Sequence, residues 1–407
     1  MAGLSVYKKH NLLYTQERIE SYTAGGYHPV FLGDTFNGDR YKVYHKLGWG
    51  GFSTVWLAND TRRVRVPHVS TIMKADYCSA SRELHNLQLL TARSSQENAI
   101  SQHIAPVLDS FIHDGPNGAH QCLIFDLLGP SLGNIIGCYR YEEGETLEPD
   151  VIWRISEQLL KGLTDLYDAG IVHGGCIDIN VGNIAFQCTD LTNASTEKIL
   201  KVLGEPKCEE LTRLDGKPLD AGLPKHIVEA AGWKKWFDED EEDVRIIDFG
   251  QAFSHGEEPK KLAQPKKLRT PETFFSGRFD HKVDSWAAGC VINCMVFGAY
   301  PFGCPGDDAI LVGEMIGFVD ELPEKWQQKW YEMRQDSQYR TALYKLEGVQ
   351  KAELEKRFKE HVADGNLALL LPVIQGLMRL DPSERLSASE ALDLLRLKKA
   401  AIADLQV

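Results

Sequence analysis

The sequence predicts an α+β fold in which a small β-rich lobe precedes a larger helical lobe. From residue 41, β-branched and aromatic residues surround a glycine-rich turn, which is typical of consecutive antiparallel strands. From about residue 149, segments with helical apolar spacing dominate. At 407 residues the chain is long enough for two lobes and a large buried core. We therefore expect two lobes with a boundary near Gly129.

The elements follow this division in order. After the first strands, "SASRELHNLQLLTARS" has leucines at helical spacing (Leu84, Leu87, Leu90), and "HQCLIFDLLGPSL" is typical of a strand that ends in a loop. Helices are then predicted over "PDVIWRISEQLLKGLTDLYDAG", "KVDSWAAGCVINCMVFG" and "LALLLPVIQGLMRL". Ser387 is expected to cap the last helix together with Glu390, three residues on.

These elements give the domain boundaries. Residues 1–40 form an N-terminal extension, 41–128 the small lobe and 129–400 the large lobe. Residues 187–243 form an insert within the large lobe. The insert ends in the acidic run "DEDEED" (Asp238 to Asp243), which we expect to be a solvated surface loop.

Composition excludes several classes of protein. The net charge of −13 argues against general nucleic-acid binding, because neutralising phosphates requires a basic face. The charge is compatible with a basic protein partner and also with solubility alone. With no apolar run near 18 residues and no signal-peptide core at the start, we expect no membrane span. Nine cysteines without metal-ligand spacing indicate reduced thiols, no structural zinc and a cytoplasmic or nuclear protein.

A glycine-rich turn lies between the first two strands of the small lobe. "LGWGGFSTVW" places Gly48 and Gly50 there, with Ser53 at the position of a third glycine. Glycines let the backbone fold closely over phosphates, so that N–H groups point at the oxygens. A plain hairpin turn has the same pattern, so a phosphate-binding loop is indicated only together with the residues that follow.

Charged residues follow in an order that suits phosphoryl transfer. Lys74 ends a predicted strand, where its ammonium can reach α- and β-phosphates, and Glu83 on the next helix can hold it by an ion pair. Alone, either residue is more typical of ordinary surface charge. Asp248, after an apolar strand, suits Mg²⁺, and Asn183 is expected to hold a second ion. Asp178 is expected to accept or orient the proton of an incoming hydroxyl.

This ordered set resembles the eukaryotic protein kinases. "DFG" at Asp248, "RTPE" (269–272) and "DSWAAGC" from Asp284 are similar to the DFG, APE-type and D-x-W signals of that family. Arg385 matches the family arginine that pairs with the APE-type glutamate, here Glu272. The resemblance spans roughly residues 41 to 395. It implies a bilobal protein kinase fold with ATP and Mg²⁺ as cofactors.

A narrower resemblance is to the SR-protein kinases (serine/arginine-rich splicing-factor kinases), especially compact fungal members. It is carried by "YHPV" from Tyr27, by "KLGWGGFSTVWLA", by the hinge "LIFDLLGPSL" and by the insert before DFG. It implies phosphorylation of serine or threonine in basic, Arg/Ser-rich protein substrates, and we expect a monomer. The residues that it places at the nucleotide are Leu47, Gly48, Gly50, Ser53, Val55, Ile72, Lys74, the gatekeeper Phe125, Asp126 and Leu128.

The same resemblance suggests where substrate arginines dock. "GDDAILVGEM" is similar to a region with acidic docking residues, so Asp307, Asp308 and Glu314 are candidates. A solvated acidic helix start, stabilised by the helix dipole, is an equally good explanation. A basic cluster (Lys260, Lys261, Lys266, Lys267, Arg269) can engage an acidic partner or simply be solvated.

Three departures from the family pattern bear on activity. Ile72 stands where the family has a small alanine, and Ile177 (or Gly174) stands where an arginine usually precedes the catalytic aspartate. Without that arginine, a phosphorylated activation loop has no partner there, so we expect activity without such phosphorylation. The third departure is that His173 lies ten residues before Asn183 rather than seven.

Counting back from Asn183 makes Asp178 the catalytic base, with three extra residues after His173. Such an insertion can bulge outwards, although a 1 Å displacement of the base costs about 100-fold in rate. The main hypothesis is a protein serine/threonine kinase. The alternatives are a pseudokinase scaffold inactivated by the altered loop and, less favoured, a kinase of small molecules.

Overall fold

The computed structural model describes residues 4–62, 67–78, 82–97, 102–140, 146–174, 179–233, 235–236, 243–262, 264–303, 306–339, 343 and 352–405. The strands are β1 Thr35–Phe36, β2 Tyr41–Trp49, β3 Ser53–Asp60, β4 Pro67–Met73, β5 Val107–Gly115, β6 Gly118–Asp126, β7 Ile171–Val172, β8 Ile184–Phe186, β9 Cys208–Glu210, β10 His226–Val228, β11 Val244–Ile246 and β12 Phe253–Ser254.

The α-helices are α1 Leu12–Thr15, α2 Glu83–Glu97, α3 Leu132–Cys138, α4 Pro149–Asp168, α5 Thr189–Thr192, α6 Thr196–Leu203, α7 Glu272–Phe275, α8 Lys282–Phe297, α9 Asp308–Met315, α10 Gln327–Asp336, α11 Glu353–His361, α12 Gly365–Ala368, α13 Leu371–Leu377 and α14 Ala388–Leu405. Short 3₁₀ turns include Ala75–Tyr77 and Val181–Asn183. Within the described residues, no helix is both long and apolar enough to span a membrane.

The chain divides into two compact units. The first unit comprises 1–88, 105–130 and 187–241, and the second comprises 89–104, 131–186 and 242–407. The predicted α+β class is confirmed, since the first unit holds the large sheet and the second holds most of the helices. The insert is a correction to the predicted boundaries, because residues 187–241 group with the strand-rich unit rather than with the helical one.

The first unit is built on a six-stranded antiparallel sheet in the order β1-β2-β3-β4-β6-β5. The predicted strands from residue 41 are therefore confirmed. One face of the sheet is buried in a hydrophobic cluster that includes Trp56, Ile72 and Ile124. The other face packs through Leu57 and Leu127 against the insert.

The N-terminal extension and the insert are folded parts of the first unit. Tyr27 of the extension and Ile227 of the insert belong to one buried cluster. Lys46 of β2 forms a buried ion pair with Glu17 of the extension, and its Nζ also donates to the carbonyl of Val228 at 3.2 Å. The insert belongs with the strands because its apolar residues (Leu191, Ile199, Leu203, Trp233) are buried in the cluster of Leu57.

The second unit is mainly helical. The predicted helices over 149–170 and 282–298 appear as α4 and α8, and α8 ends at Gly298 with a left-handed φ of 66°. The single helix predicted over 367–380 is instead α12 followed by α13. Pro372 lies in the first turn of α13, where its missing N–H is tolerated.

The start of α14 confirms the predicted capping box. The amide of Glu390 donates to Ser387 Oγ at 3.2 Å, and the amide of Ser387 donates to Glu390 Oε2 at 2.7 Å. Most of the acidic run at 238–243 lies outside the described residues. Its last member, Asp243, accepts a hydrogen bond from Gln158 of α4.

Candidate active site

The glycine-rich turn of the first unit has the predicted position between β2 and β3. The amide of Gly50 donates to the carbonyl of Ser53 at 2.9 Å and closes the turn. A Cβ at Gly48 or Gly50 would meet no atom within 4 Å, so the backbone of the turn is open to a ligand that approaches closely. The turn therefore keeps the backbone access that phosphate binding requires.

The strand register decides which side chains can accompany this turn. Val55 lies opposite Thr71, and Thr71 lies opposite Leu123, so these three side chains share one face of the sheet. Leu57, Val69 and Phe125 are joined by the same register and lie on the same face. Predicted nucleotide-binding residues on this face, including Leu47, Val55 and Phe125, are half-buried.

Ile72 does not lie on that face. It is opposite Thr54 and Cys122, is 1% exposed, and packs in the cluster with Trp56 and Ile124. Side chains alternate along a strand, so Ile72 points to the face opposite Val55. Ile72, which the resemblance places at the nucleotide, therefore lies on the other face, and Val69 and Thr71 are the β4 residues that share the Val55 face.

Lys74 also lies apart from Val55. It follows the last residue of β4, and its Nζ lies 4.2 Å from the centroid of the Tyr27 ring. Desolvation lowers the pKa of the Lys74 ammonium, and the nearby Asp76 carboxylate acts in the opposite direction. Among the described residues, no salt bridge joins Lys74 to Glu83, which is buried at the start of α2. The predicted ion pair is thus not formed in this structure.

The hinge has a neighbour, Trp236, that no sequence pattern predicts. Asp126 ends β6, and half-buried Leu128 follows buried Leu127. A Cβ at Gly129 would lie 3.2 Å from Nε1 of Trp236, so the indole packs directly on the hinge backbone. The only sequence signal was the pair of tryptophans in "GWKKW", which gives no position in space.

In the second unit, the catalytic loop is fixed at its start. The amide of His173 donates to Asp284 Oδ2 at 2.8 Å, so Asp284 of α8 anchors the loop as the D-x-W resemblance implies. The His173 ring is fully buried against Phe249 at 4.6 Å between centroids, and this burial lowers its pKa to about 3. The predicted base Asp178, with residues 175–177, lies outside the described residues.

The two predicted metal ligands meet in this unit. Asn183 Nδ2 donates to Asp248 Oδ2 at 3.3 Å, and the amide of Ile247 donates to the carbonyl of Asn183 at 3.0 Å. Asp248 has a left-handed φ of 68°, which is unusual for a residue other than glycine. Desolvation by the surrounding protein raises the pKa of its carboxyl even though the residue is exposed, and hydrogen bonds from Gly250 and Asn183 oppose that shift.

These groups fit a magnesium ion. A carboxylate and an amide oxygen are hard ligands of the kind that Mg²⁺ binds one or two at a time, with waters completing its shell. A strained backbone at a ligand persists only where its surroundings hold it, here through β8 and β11, whose register pairs Ile184 with Ile246. The fit to ATP phosphates is less complete, because Thr71 rather than a lysine lies opposite Val55.

The predicted pairing of Glu272 with Arg385 is confirmed. Arg385 binds the carboxylate through two hydrogen bonds of 3.0 and 3.1 Å, and both side chains are buried. Arg385 also donates to the carbonyl of Lys282 at 2.7 Å, which links the pair to α8. Such a bidentate, desolvated pair fixes the start of α7 relative to α8.

The three predicted docking carboxylates already have partners. Asp307 caps α9 by accepting from the Ile310 amide at 3.1 Å, and Asp308 pairs with Arg269 at 2.8 Å. Glu314 accepts from the amide of Gly303 at 3.1 Å. The capping role of Asp307 fits the alternative of an acidic helix start. Within the basic cluster, Arg269 is thus engaged by Asp308.

The protein-family model that matches this chain covers mainly the second unit. The model of the protein kinase domain matches residues 236–394. Residues 236–394 are thus similar to a protein kinase domain. A serine/threonine-protein kinase SRPK of Physarum polycephalum is 25% identical over 93% of this chain and 90% of that protein. Protein kinase dsk1 of Schizosaccharomyces pombe is 37% identical over 39% of this chain but only 29% of that protein.

The fold agrees as well. The crystal structure of the PF14_0431 kinase domain has a TM-score of 0.65 and 18% identity, and the match covers 91% of this chain and 98% of that one. This likeness supports the kinase fold alone. The chain is therefore similar to proteins that are named as serine/threonine-protein kinases.

Proposed function

We propose that the protein transfers the γ-phosphate of ATP to serine in basic, Arg/Ser-rich protein substrates. The observation that supports this most is the contact of Asn183 with Asp248, 3.3 Å apart, beside a loop that Asp284 anchors. The names of the SRPK-family relatives support the kinase activity, and the net charge of −13 is compatible with a basic substrate. Monomeric state and cytoplasmic or nuclear location stay predictions.

The residues have separate tasks in this mechanism. Mg²⁺, when bound, neutralises charge that develops on the transferred phosphoryl group. Asp248 and Asn183 would hold the ion, and the amides of the open turn at Gly48 and Gly50 would bind phosphate oxygens. Asp178 orients the substrate hydroxyl and accepts its proton. Catalysis then depends on positioning and electrostatics rather than on a covalent intermediate.

We also propose that activity does not need activation-loop phosphorylation. The Thr270 side chain is fully buried, and its Oγ1 lies 3.3 Å from Oγ1 of Thr273, so a kinase cannot reach it in this state. Ser254 lies in β12, paired with Ile171. Mass spectrometry of active enzyme is expected to find neither site phosphorylated. Activity that appears only with phosphate on either residue contradicts the proposal.

One observation favours a second candidate function. Thr71 faces the Val55 side where a phosphate-binding lysine is expected, and Lys74 contacts Tyr27 instead. Without an ammonium at this position, the first unit can serve as a weak nucleotide-binding module, which is the pseudokinase alternative. The two candidates differ in whether phosphate is transferred.

A transfer assay distinguishes the candidates. Purified protein is given ATP, Mg²⁺ and an Arg-Ser repeat peptide, beside an Asp178→Ala variant and a peptide in which Lys replaces Arg. The proposal expects transfer that Asp178→Ala abolishes and that prefers arginine, because the guanidinium binds carboxylates bidentately. Transfer equal to that of Asp178→Ala, with nucleotide still bound, establishes the pseudokinase. Equal use of both peptides removes the arginine preference alone.

A further inference from the structure

Tyr27 of the N-terminal extension contacts the glycine-rich turn directly. Its phenol donates to the carbonyl of Gly50 at 2.5 Å, and only 4% of the residue is exposed. Burial raises the pKa of Tyr27 to about 12, so the phenol keeps its proton at neutral pH. In the sequence this tyrosine is recognisable only as the first residue of "YHPV".

Lys74 meets both Tyr27 and the same turn. Its ammonium lies over the Tyr27 ring at 4.2 Å, a distance at which cation–π attraction is favourable. Its backbone amide donates to the carbonyl of Phe52 at 2.8 Å. Tyr27 and Lys74 therefore hold two carbonyls, those of Gly50 and Phe52, on either side of Gly51.

Tyr27 is itself firmly placed. Its amide donates to the carbonyl of Ser21 at 2.9 Å, and its carbonyl accepts from Asn117 Nδ2 at 2.7 Å. The amide of Ala75 donates to the carbonyl of Gly26 at 3.1 Å, which joins the segment before Tyr27 to the segment after Lys74. A contact made from such a fixed position can restrain a mobile partner.

The turn needs an external restraint. Within the turn, the bond between Gly50 and Ser53 and an edge contact of Phe52 with Tyr77 (4.6 Å between ring centroids) are the other restraints described, and the positions of added Cβ atoms at the glycines are open. Trp49 and Phe52 are 44% and 41% exposed. Glycines lose more backbone entropy on ordering than other residues, so an unrestrained turn populates many conformations. Ordering it in advance lowers the entropic cost of binding a ligand.

We propose that Tyr27 and Lys74 brace the glycine-rich turn from the face of the sheet opposite Val55, with Tyr27 as a positioning residue for nucleotide binding. The nucleotide part rests on the proposed function; the bracing of the turn does not. In this arrangement Lys74 is a structural partner of Tyr27, and its ammonium is not a ligand of the phosphates.

Hydrogen exchange tests the brace without any nucleotide. Tyr27→Phe removes only the bond to Gly50, and Lys74→Met removes only the ammonium. Each is expected to speed amide exchange in a peptide covering residues 48–54 about fivefold, the effect of losing one such contact. Tyr22→Phe is the matched control, because it removes a similar 2.7 Å bond, to Glu17, in the same segment. Exchange in 48–54 that stays at the wild-type rate in Tyr27→Phe overturns the proposal.

Steady-state kinetics test the role in nucleotide binding. The brace predicts that Tyr27→Phe and Lys74→Met each raise the KM for ATP several-fold with little change in kcat, and that Lys74→Arg restores it. A loss of about 100-fold or more in kcat for Lys74→Met, with unchanged exchange in the turn, shows that Lys74 acts on the phosphates and contradicts the proposal. If wild-type protein transfers no phosphate, the proposed function fails and the exchange experiment still decides the brace.

Discussion

The two units differ in how closely they follow the kinase pattern. In the second unit Glu272 pairs with Arg385 as predicted, and the two candidate metal ligands Asn183 and Asp248 lie in contact. In the first unit, Lys74 lies over Tyr27 instead of joining Val55. The match to the protein kinase domain, over residues 236–394, likewise falls almost entirely in the second unit.

The difference has a physical origin. Partners of opposite charge or matched hydrogen-bonding capacity are identified by their chemistry, and only one buried geometry satisfies both. A strand residue is assigned to a face by counting in twos, and a shift of one residue moves it to the other face. The pairing of Glu272 was predicted from the chemistry of its partner, whereas the place of Lys74 was predicted only from its position at the end of a strand.

The largest expected effect tests the pairing in the second unit. Arg385→Met leaves the Glu272 carboxylate buried without its cation, so the free energy of unfolding is expected to fall by about 3–5 kcal/mol. Urea denaturation followed by circular dichroism measures the loss. Arg396→Met is the control, since its pair with Glu157 is exposed and is worth about 1 kcal/mol or less. Equal losses in both variants contradict the importance given to the buried pair.

A smaller effect on the free energy of unfolding is expected in the first unit when the pH is lowered. Burial, reinforced by the neighbouring His113 and His120, lowers the pKa of His28 to about 3. An unfolded histidine titrates near 6.5, so the unfolded chain binds more protons below that pH. The stabilisation that His28 provides is complete above about pH 6.5 and is lost as the pH falls towards 3, on the order of a few kcal/mol.

His28→Phe measures this contribution. The carboxylates of Asp114 and Asp34 act to raise the pKa of the neighbouring His113. The free energy of unfolding in urea is therefore compared between variant and wild type at pH 5, 6, 7 and 8, because it reports on the whole histidine cluster. We expect a shallower fall of the unfolding free energy towards acid than in wild type. Some fall is expected to remain, because His173 of the second unit has a similarly lowered pKa. A slope identical to that of wild type would refute the role of His28.

The smallest expected effect is a change in nucleotide affinity caused by a substitution in β4. Thr71→Lys places an ammonium on the Val55 face, where charge-assisted bonds to phosphate add about 1.4 kcal/mol or more, a tenfold gain in nucleotide affinity. Isothermal titration with an ATP analogue and Mg²⁺ measures the gain, and Thr71→Met is the matched control without charge. Affinity that is unchanged in Thr71→Lys would show that the nucleotide does not approach this face.

Local patterns were sufficient for much of the fold. The glycine-rich turn, the strands that flank it, α4 and α8 lie where apolar spacing and turn residues predict them. The capping box of Ser387 and Glu390 was predictable because its partners are three residues apart. The break between α12 and α13 was missed since a continuous apolar pattern outweighed the signal of Pro372.

Non-local packing was beyond such patterns. Nothing in the insert indicates that Trp236 packs on Gly129, or that Leu191 and Trp233 share a core with Leu57. The phenol of Tyr27 likewise reaches a carbonyl 23 residues away. These contacts depend on chain segments brought together by the whole first unit, and a single sequence window carries no information about them.

The sequence by itself determined the chemistry of this protein: an α+β kinase fold, a glycine-rich turn, and charged partners such as Glu272 and Arg385 that are costly to bury apart. Only the tertiary structure decided on which face of the sheet each β4 residue lies. The register of β3 with β4, which pairs Val55 with Thr71, is fixed by hydrogen bonds along both strands. Because side chains alternate with a period of two, that register, and not the spacing to the glycines, places Thr71 beside Val55 and turns Ile72 to the other face.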